Sequence, residues 1–141
     1  MTDTAAPIDS TNAATLRRNR DTVLRFSEAW VSGDVDGLLA LMSDEPVYKG
    51  STGPGPGTFF QGRDAVREAF SRMVTAPPPG AAPPPVTPPT MYVFEDRALV
   101  YWHLSLRKAD GGTSEVDGVD VLTFTADGRI AVKDAYRKAF P

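Results

Sequence analysis

The chain has 141 residues, 41% hydrophobic and 23% charged, with a formal net charge of −3, a composition that fits one globular domain around one core. The absence of cysteine and the presence of a single histidine exclude disulfides, thiolate nucleophiles and Cys- or His-rich metal sites. No basic block offers a footprint for nucleic acid, and no run of about 18 apolar residues offers a membrane span.

The opening stretch "MTDTAAPIDSTNAAT" lacks the charged-then-apolar order of a secretory signal. Residues 1–11 read as a disordered leader and residues 12–141 as a single domain, with the cytoplasm as the default compartment. Leu16, Val23, Phe26, Trp30 and Val31 recur at helical spacing and predict an amphipathic helix from about Asn12 to Ser32. Gly33 is a stop signal, and Asp34 can cap a second helix over "DVDGLLALM". Pro46 ends that region. "VYKGS" reads as a short strand and "TGPGPGTFFQG" as a loop. "GRDAVREAFSRMV" predicts a third helix, with Val66, Phe70, Met73 and Val74 on one side.

The stretch "APPPGAAPPPVTPP", residues 76–89, is an extended proline-rich connection, since proline fits neither a helix interior nor an inner strand. Four strands follow: "MYVFED", "ALVYWHLSLRK", "TSEVDGVDVLTFT" and "RIAVKDAYRK", the later ones separated by the turns "ADGG" and "ADG". Helices first and a meander afterwards predict an α+β domain, its helices packed on one face of a curved antiparallel sheet.

Strand side chains alternate between faces. On "DGVDVLTF" this places Asp120 in the middle of an otherwise apolar face of Val116, Gly118, Leu122 and Phe124. Burying a carboxylate costs several kcal/mol unless it is paired or protonated, so Asp120 is a candidate functional group. The strand before it has an apolar face, Val100, Trp102, Leu104 and Leu106, and a mixed face, Leu99, Tyr101, His103 and Ser105. Only one face of such a sheet can pack on the chain's own helices. The apolar face, extended by Val119 and Val121, is therefore expected to join two copies into a homodimer. The mixed face would then point inward, bringing Tyr101, His103 and Ser105 beside Asp120 and Tyr48 in a small-molecule pocket. An Asp beside a His raises imidazole basicity and orients it for proton transfer. A desolvated Asp without such a partner would instead have a raised pKa and could donate a hydrogen bond while neutral. By parity with Ala135, Lys133 and Arg137 also point inward unless a β-bulge shifts the phase. If they do, an acidic substrate fits.

The stretches "GDVDGLLALMSDE", "QGRDAVREAF" and "DGVDVLTFTADGRIAVKDAYR" resemble the nuclear transport factor 2-like superfamily, in its SnoaL-like polyketide cyclase and ketosteroid isomerase branch. The resemblance runs from about Leu16 onward. It implies a cone-like α+β barrel, three N-terminal helices on a strongly curved, mixed but mainly antiparallel sheet enclosing a pocket. Asp120 falls where ketosteroid isomerases keep the protonated Asp of their oxyanion hole. That family's oxyanion-hole Tyr and general-base Asp fall on Phe26 and Gly50, so its full mechanism is not carried over. Limonene epoxide hydrolases use an Asp–Arg–Asp set, where this chain has Tyr101, His103 and Ala135, and only Tyr48 matches their water-positioning Tyr. SnoaL-like cyclases, thought to use a His and an Asp on adjacent strands, match better.

The resemblance thus implies a cofactor-free enzyme of acid–base proton transfer, namely isomerisation, aldol cyclisation or dehydration, on a hydrophobic oxygenated substrate, with neither metal nor nucleic acid involved. His103 and Asp120 would be catalytic. Tyr48, Tyr101 and Ser105 would meet substrate oxygens, and Phe26, Trp30, Leu122 and Phe124 would form the walls. The alternatives are a non-catalytic binding protein of the same fold and an epoxide hydrolase-like enzyme.

Overall fold

A computed structural model describes residues 10–82 and 88–139. Residues 1–9 of the expected leader, and residues 83–87 of the proline-rich connection, lie outside the described part. The first helix, α1 (Ser10–Ser32), buries Val23 and Phe26 as its spacing requires. It stops at Gly33, whose φ of +68° favours glycine. The Asp34 side chain then accepts from the Gly37 amide at 2.9 Å and starts α2 (Val35–Ala40). The third helix, α3 (Arg63–Met73), packs Val66, Ala69 and Phe70 inward.

Six strands form one open, mixed sheet in the order β2-β1-β6-β5-β4-β3. They are β1 (Met42–Lys49), β2 (Phe59–Gln61), β3 (Met91–Val93), β4 (Arg97–Arg107), β5 (Thr113–Phe124) and β6 (Ile130–Ala139). Among the described residues only β1 and β6 pair in parallel. The helices cover one face of this curved sheet, and the shared core includes Phe26, Leu38, Leu39, Met42, Phe70, Leu122 and Ile130. Asn19 Nδ2 donates to the carbonyls of Phe94 and Glu95 at 2.9 Å each, and Thr22 Oγ1 donates to the Gly128 carbonyl at 3.2 Å. These bonds tie α1 to two strand turns. No helix among the described residues is long and apolar enough to cross a membrane.

Three expectations are corrected. Pro46 does not end a helix: it is buried within β1, which starts at Met42, and the register of β1 against β6 shifts between Met42 and Val47. Such a break accommodates a residue that cannot donate a ladder hydrogen bond. The segment "TFFQ" holds the short strand β2 rather than loop alone. The largest correction concerns β4. Val100 pairs with Asp120, Trp102 with Gly118 and Leu104 with Val116. Directly paired residues share a face, so Val100, Trp102 and Leu104 are on the helix-facing side with Asp120. They are not an outer interface. Leu106 has the same parity at the far end of β4, where Leu104 and Leu106 are 43% and 44% exposed. The residues paired with Val119 and Val121 are Tyr101 and Leu99, and these four lie on the outer face.

Candidate functional site

A cavity of about 330 Å³ opens between α1 and the concave face of β1, β6, β5 and β4. Its apolar wall includes Phe26, Trp30, Val100, Trp102 and Leu122. Trp30 packs edge-on against Phe70 with ring centroids 5.3 Å apart, and Phe70 in turn meets Tyr48 at 5.3 Å. Tyr48 stacks on Phe60 at 5.6 Å. The aromatic rings therefore hold one another in fixed orientations around the cavity.

Asp120 lines the cavity. Lys133 Nζ lies 3.0 Å from its Oδ2, and Trp102 Nε1 donates to its Oδ1 at 3.1 Å. Both carboxylate oxygens thus accept from donors, which is the role of an ionised carboxylate rather than of a neutral hydrogen-bond donor. Lys133 is buried, with 5% exposure. Its ammonium also lies 4.9 Å from the Trp30 ring centre and 5.1 Å from that of Tyr48, within cation–π range. The partner of the buried Asp is therefore a lysine on the neighbouring strand.

The reason lies in the register. Asp120 pairs with Ala135, Leu122 with Lys133 and Gly118 with Arg137, so Lys133, Ala135 and Arg137 all share the inner face. The bulge is real but lies before them. Thr123 pairs with Val132 and Phe124 with Ile130, leaving Ala131 as the extra residue. It puts both Ile130 and Lys133 inside, and from Lys133 onward the alternation is regular. Gly118 completes the arrangement: a Cβ there would fall inside the Trp102 indole, so glycine lets the indole lie across β5 and reach Asp120.

Tyr48 is buried and on the same face, paired with Lys133. Burial pushes its phenol above the ordinary value, the Asp120 charge adds to the rise, and the Arg137 charge opposes it. No hydrogen bond of the Tyr48 hydroxyl is found among the described residues.

The other predicted site residues divide. Phe26, Trp30 and Leu122 line the cavity, whereas Phe124 packs in the core without lining it. Tyr101 and His103 border the rim, but their side chains belong to the outer face. The Tyr101 ring meets the exposed Tyr92 ring edge-on at 6.1 Å. His103 pairs with Asp117, not Asp120: its Nδ1 is 2.6 Å from Asp117 Oδ1, and its Nε2 is 2.5 Å from Glu115 Oε2. Hydrogen bonds to Asp117 first and Glu115 second raise the imidazole pKa. Ser105, also outside, donates to Glu115 at 2.7 Å. The expected His103–Asp120 pair is thus replaced by Lys133–Asp120, because the apolar face of β4 packs inward and forms the pocket wall.

A family model described as a SnoaL-like domain matches residues 23–133. The chain belongs to this SnoaL-like family of the nuclear transport factor 2-like superfamily. Solved structures agree on the fold. A nuclear transport factor 2-like protein of unknown function from Mesorhizobium loti is 25% identical, with a TM-score of 0.66 over 87% of this chain and 93% of that one. The epoxide hydrolase/cyclase-like enzyme SalBIII, of pyran ring formation in the polyether salinomycin, is 18% identical, with a TM-score of 0.66 over 86% and 92%. A protein from Xanthomonas campestris pv. campestris described as a polyketide cyclase is 19% identical, with a TM-score of 0.64 over 86% and 91%. No curated protein matches the chain.

Proposed function

We propose that this SnoaL-like protein catalyses cofactor-free proton transfer next to a carbonyl group of a hydrophobic, oxygenated substrate. One observation carries the reading: a carboxylate, Asp120, stands in an aromatic pocket between an ammonium 3.0 Å away and an indole N–H 3.1 Å away. The two donors leave lone pairs on Asp120 free to accept a substrate proton. In the proposed step Asp120 takes the α-proton, and the electrons of the broken C–H bond form the enolate. Lys133 and the Tyr48 hydroxyl supply positive charge and a hydrogen bond where the negative oxygen develops. Protonated Asp120 then returns its proton: to the γ-carbon where the enolate is conjugated with a double bond, to the alkoxide formed when the enolate closes on a second carbonyl, or to a β-hydroxyl that leaves as water. His103 has no part in this step.

The test is deuterium exchange at the α-carbon of an aryl ketone, 1-(2-naphthyl)propan-2-one, in D₂O, followed by proton NMR. Exchange above the buffer rate that is lost in Asp120→Asn supports the proposal. Binding of the ketone without accelerated exchange assigns the pocket to binding alone.

We further infer that the protein is a homodimer joined through the outer sheet face around Leu99, Tyr101, Val119 and Val121. The support is exposed aromatic surface on that face, where Tyr92, Tyr101 and Tyr136 are each about half exposed. Light scattering of Tyr101→Glu, expected to be monomeric if the wild type is dimeric, tests it.

A further inference from the structure

We propose that the pocket selects apolar ligands bearing one anionic group, a carboxylate by chemical class, which the Arg137 guanidinium holds at the pocket mouth. The proposal rests on the reading of this cavity as a small-molecule site.

The charges lining the cavity do not cancel. Among the described residues, Asp120, Lys133 and Arg137 are the charged residues of the lining. The one imidazole at the rim, His103, is turned outward between Asp117 and Glu115. Asp120 and Lys133 neutralise each other at 3.0 Å. That leaves Arg137. It is exposed and on the inner face of β6, opposite Gly118 and so beside the Trp102 indole that lies across that glycine. No ion pair or hydrogen bond of Arg137 is found among the described residues.

A groove that adjoins the mouth adds Lys49 and Asp134, one of each sign, and the Asp134 carboxylate already accepts from the Tyr136 hydroxyl at 2.9 Å. The cavity therefore carries one uncompensated positive charge in a chain whose net charge is −3. That charge reaches the pocket interior, since it opposes the rise in the Tyr48 pKa.

A guanidinium at the open end of an aromatic cavity recognises a carboxylate by two parallel N–H···O bonds, while the ring system of the ligand fills the wall. The volume of about 330 Å³ is at the low end for small-molecule sites and suits a ligand of about two fused rings. With the anion at Arg137, the apolar body reaches inward past Trp102 toward Asp120, which puts the reacting carbon deep and the charged group at the entrance.

The experiment is a fluorescence titration with a matched pair of probes: uncharged N-phenyl-1-naphthylamine and its 8-sulfonate, 1-anilinonaphthalene-8-sulfonate. Wild type is expected to bind the sulfonate about tenfold more tightly than the neutral probe, and 2-naphthoate is expected to displace it. Arg137→Gln is expected to bring the two affinities within about twofold by weakening the sulfonate alone, and Arg137→Lys to restore part of the difference. Equal binding of both probes to wild type, or an Arg137→Gln variant with undiminished sulfonate affinity, overturns the anion assignment and leaves the pocket reading intact. Failure of both probes to bind overturns the pocket reading together with this proposal.

Discussion

Replacing Lys133 with methionine is the most direct probe of the central ion pair. Methionine matches the length and apolar stem of lysine, so it removes the charge with little change of volume. The side chains of Lys133 and Asp120 are 6% and 14% exposed. Removing one partner of a buried pair leaves an uncompensated charge and costs about 3–5 kcal/mol. The low end, about 3 kcal/mol, applies here, because Asp120 keeps the Trp102 donor and some access to cavity water. In a domain of this size that lowers Tm by roughly 10 °C. The assay is urea unfolding followed by far-UV circular dichroism, with an unchanged m-value as the sign that stability alone has moved. The double variant Asp120→Leu/Lys133→Met should recover most of the loss, since two apolar side chains leave no buried charge. A loss below about 1 kcal/mol in Lys133→Met, the size seen for exposed pairs, would refute the reasoning. So would a double variant no more stable than the single one.

Three further outcomes are expected. Gly118→Ala forces the Trp102 indole off β5, costing about 1–3 kcal/mol by overpacking and changing the tryptophan fluorescence; an unchanged emission spectrum would count against the close approach. Tyr48→Phe removes a hydroxyl that has no partner among the described residues, so stability should change by less than about 0.5 kcal/mol while ketone exchange falls by roughly 10²-fold; equal exchange in both proteins removes Tyr48 from the mechanism. The third concerns His103, whose raised pKa comes from Asp117 and then Glu115. A group raised on folding stabilises fully below its unfolded value of about 6.5, and that stabilisation disappears as pH rises through the folded value. NMR titration of this single imidazole should give a value above 6.5 that falls in Asp117→Asn and stays put in Asp120→Asn; the reverse pattern would restore the His103–Asp120 pair.

Much of the fold was legible because it rests on local signals. Helical spacing from Leu16 to Trp30, the Gly33 stop, the Asp34 cap and the turn glycines each act within a few residues. Asp120 was legible for the same reason: period-two alternation placed a carboxylate among apolar neighbours. Its partner was not, because cross-strand register is a long-range property. Sequence gives two faces for each strand but does not say which face of β4 meets which face of β5. Assigning the most apolar face of β4 to a subunit interface chose the wrong pairing, and so brought Tyr101, His103 and Ser105 inside. Two signals pointed the other way. Gly118, opposite Trp102 in the sheet, marks a close approach that only an inward-facing Trp102 uses. The alternation Lys133, Ala135, Arg137 marks an inner face with two cations, one of which an Asp on the next strand can balance.

The position of the ion pair bears on its purpose. A buried ion pair is weak evidence for stability, because apolar residues of similar volume in its place are often neutral or stabilising by about 1–4 kcal/mol. The fold has apolar material to spare around this site: Trp30, Val100 and Leu122 surround it. A structural pair would also be best placed where no ligand can compete for its donors, yet Asp120 and Lys133 line the cavity and Tyr48, with its hydroxyl unpartnered among the described residues, stands beside them. The arrangement makes sense if the charges serve something that enters the cavity. The double variant Asp120→Leu/Lys133→Met separates the two purposes: a protein that folds as stably as wild type but no longer accelerates ketone exchange has lost a site and kept its architecture. One that folds as well and exchanges as fast would show that the pair serves neither.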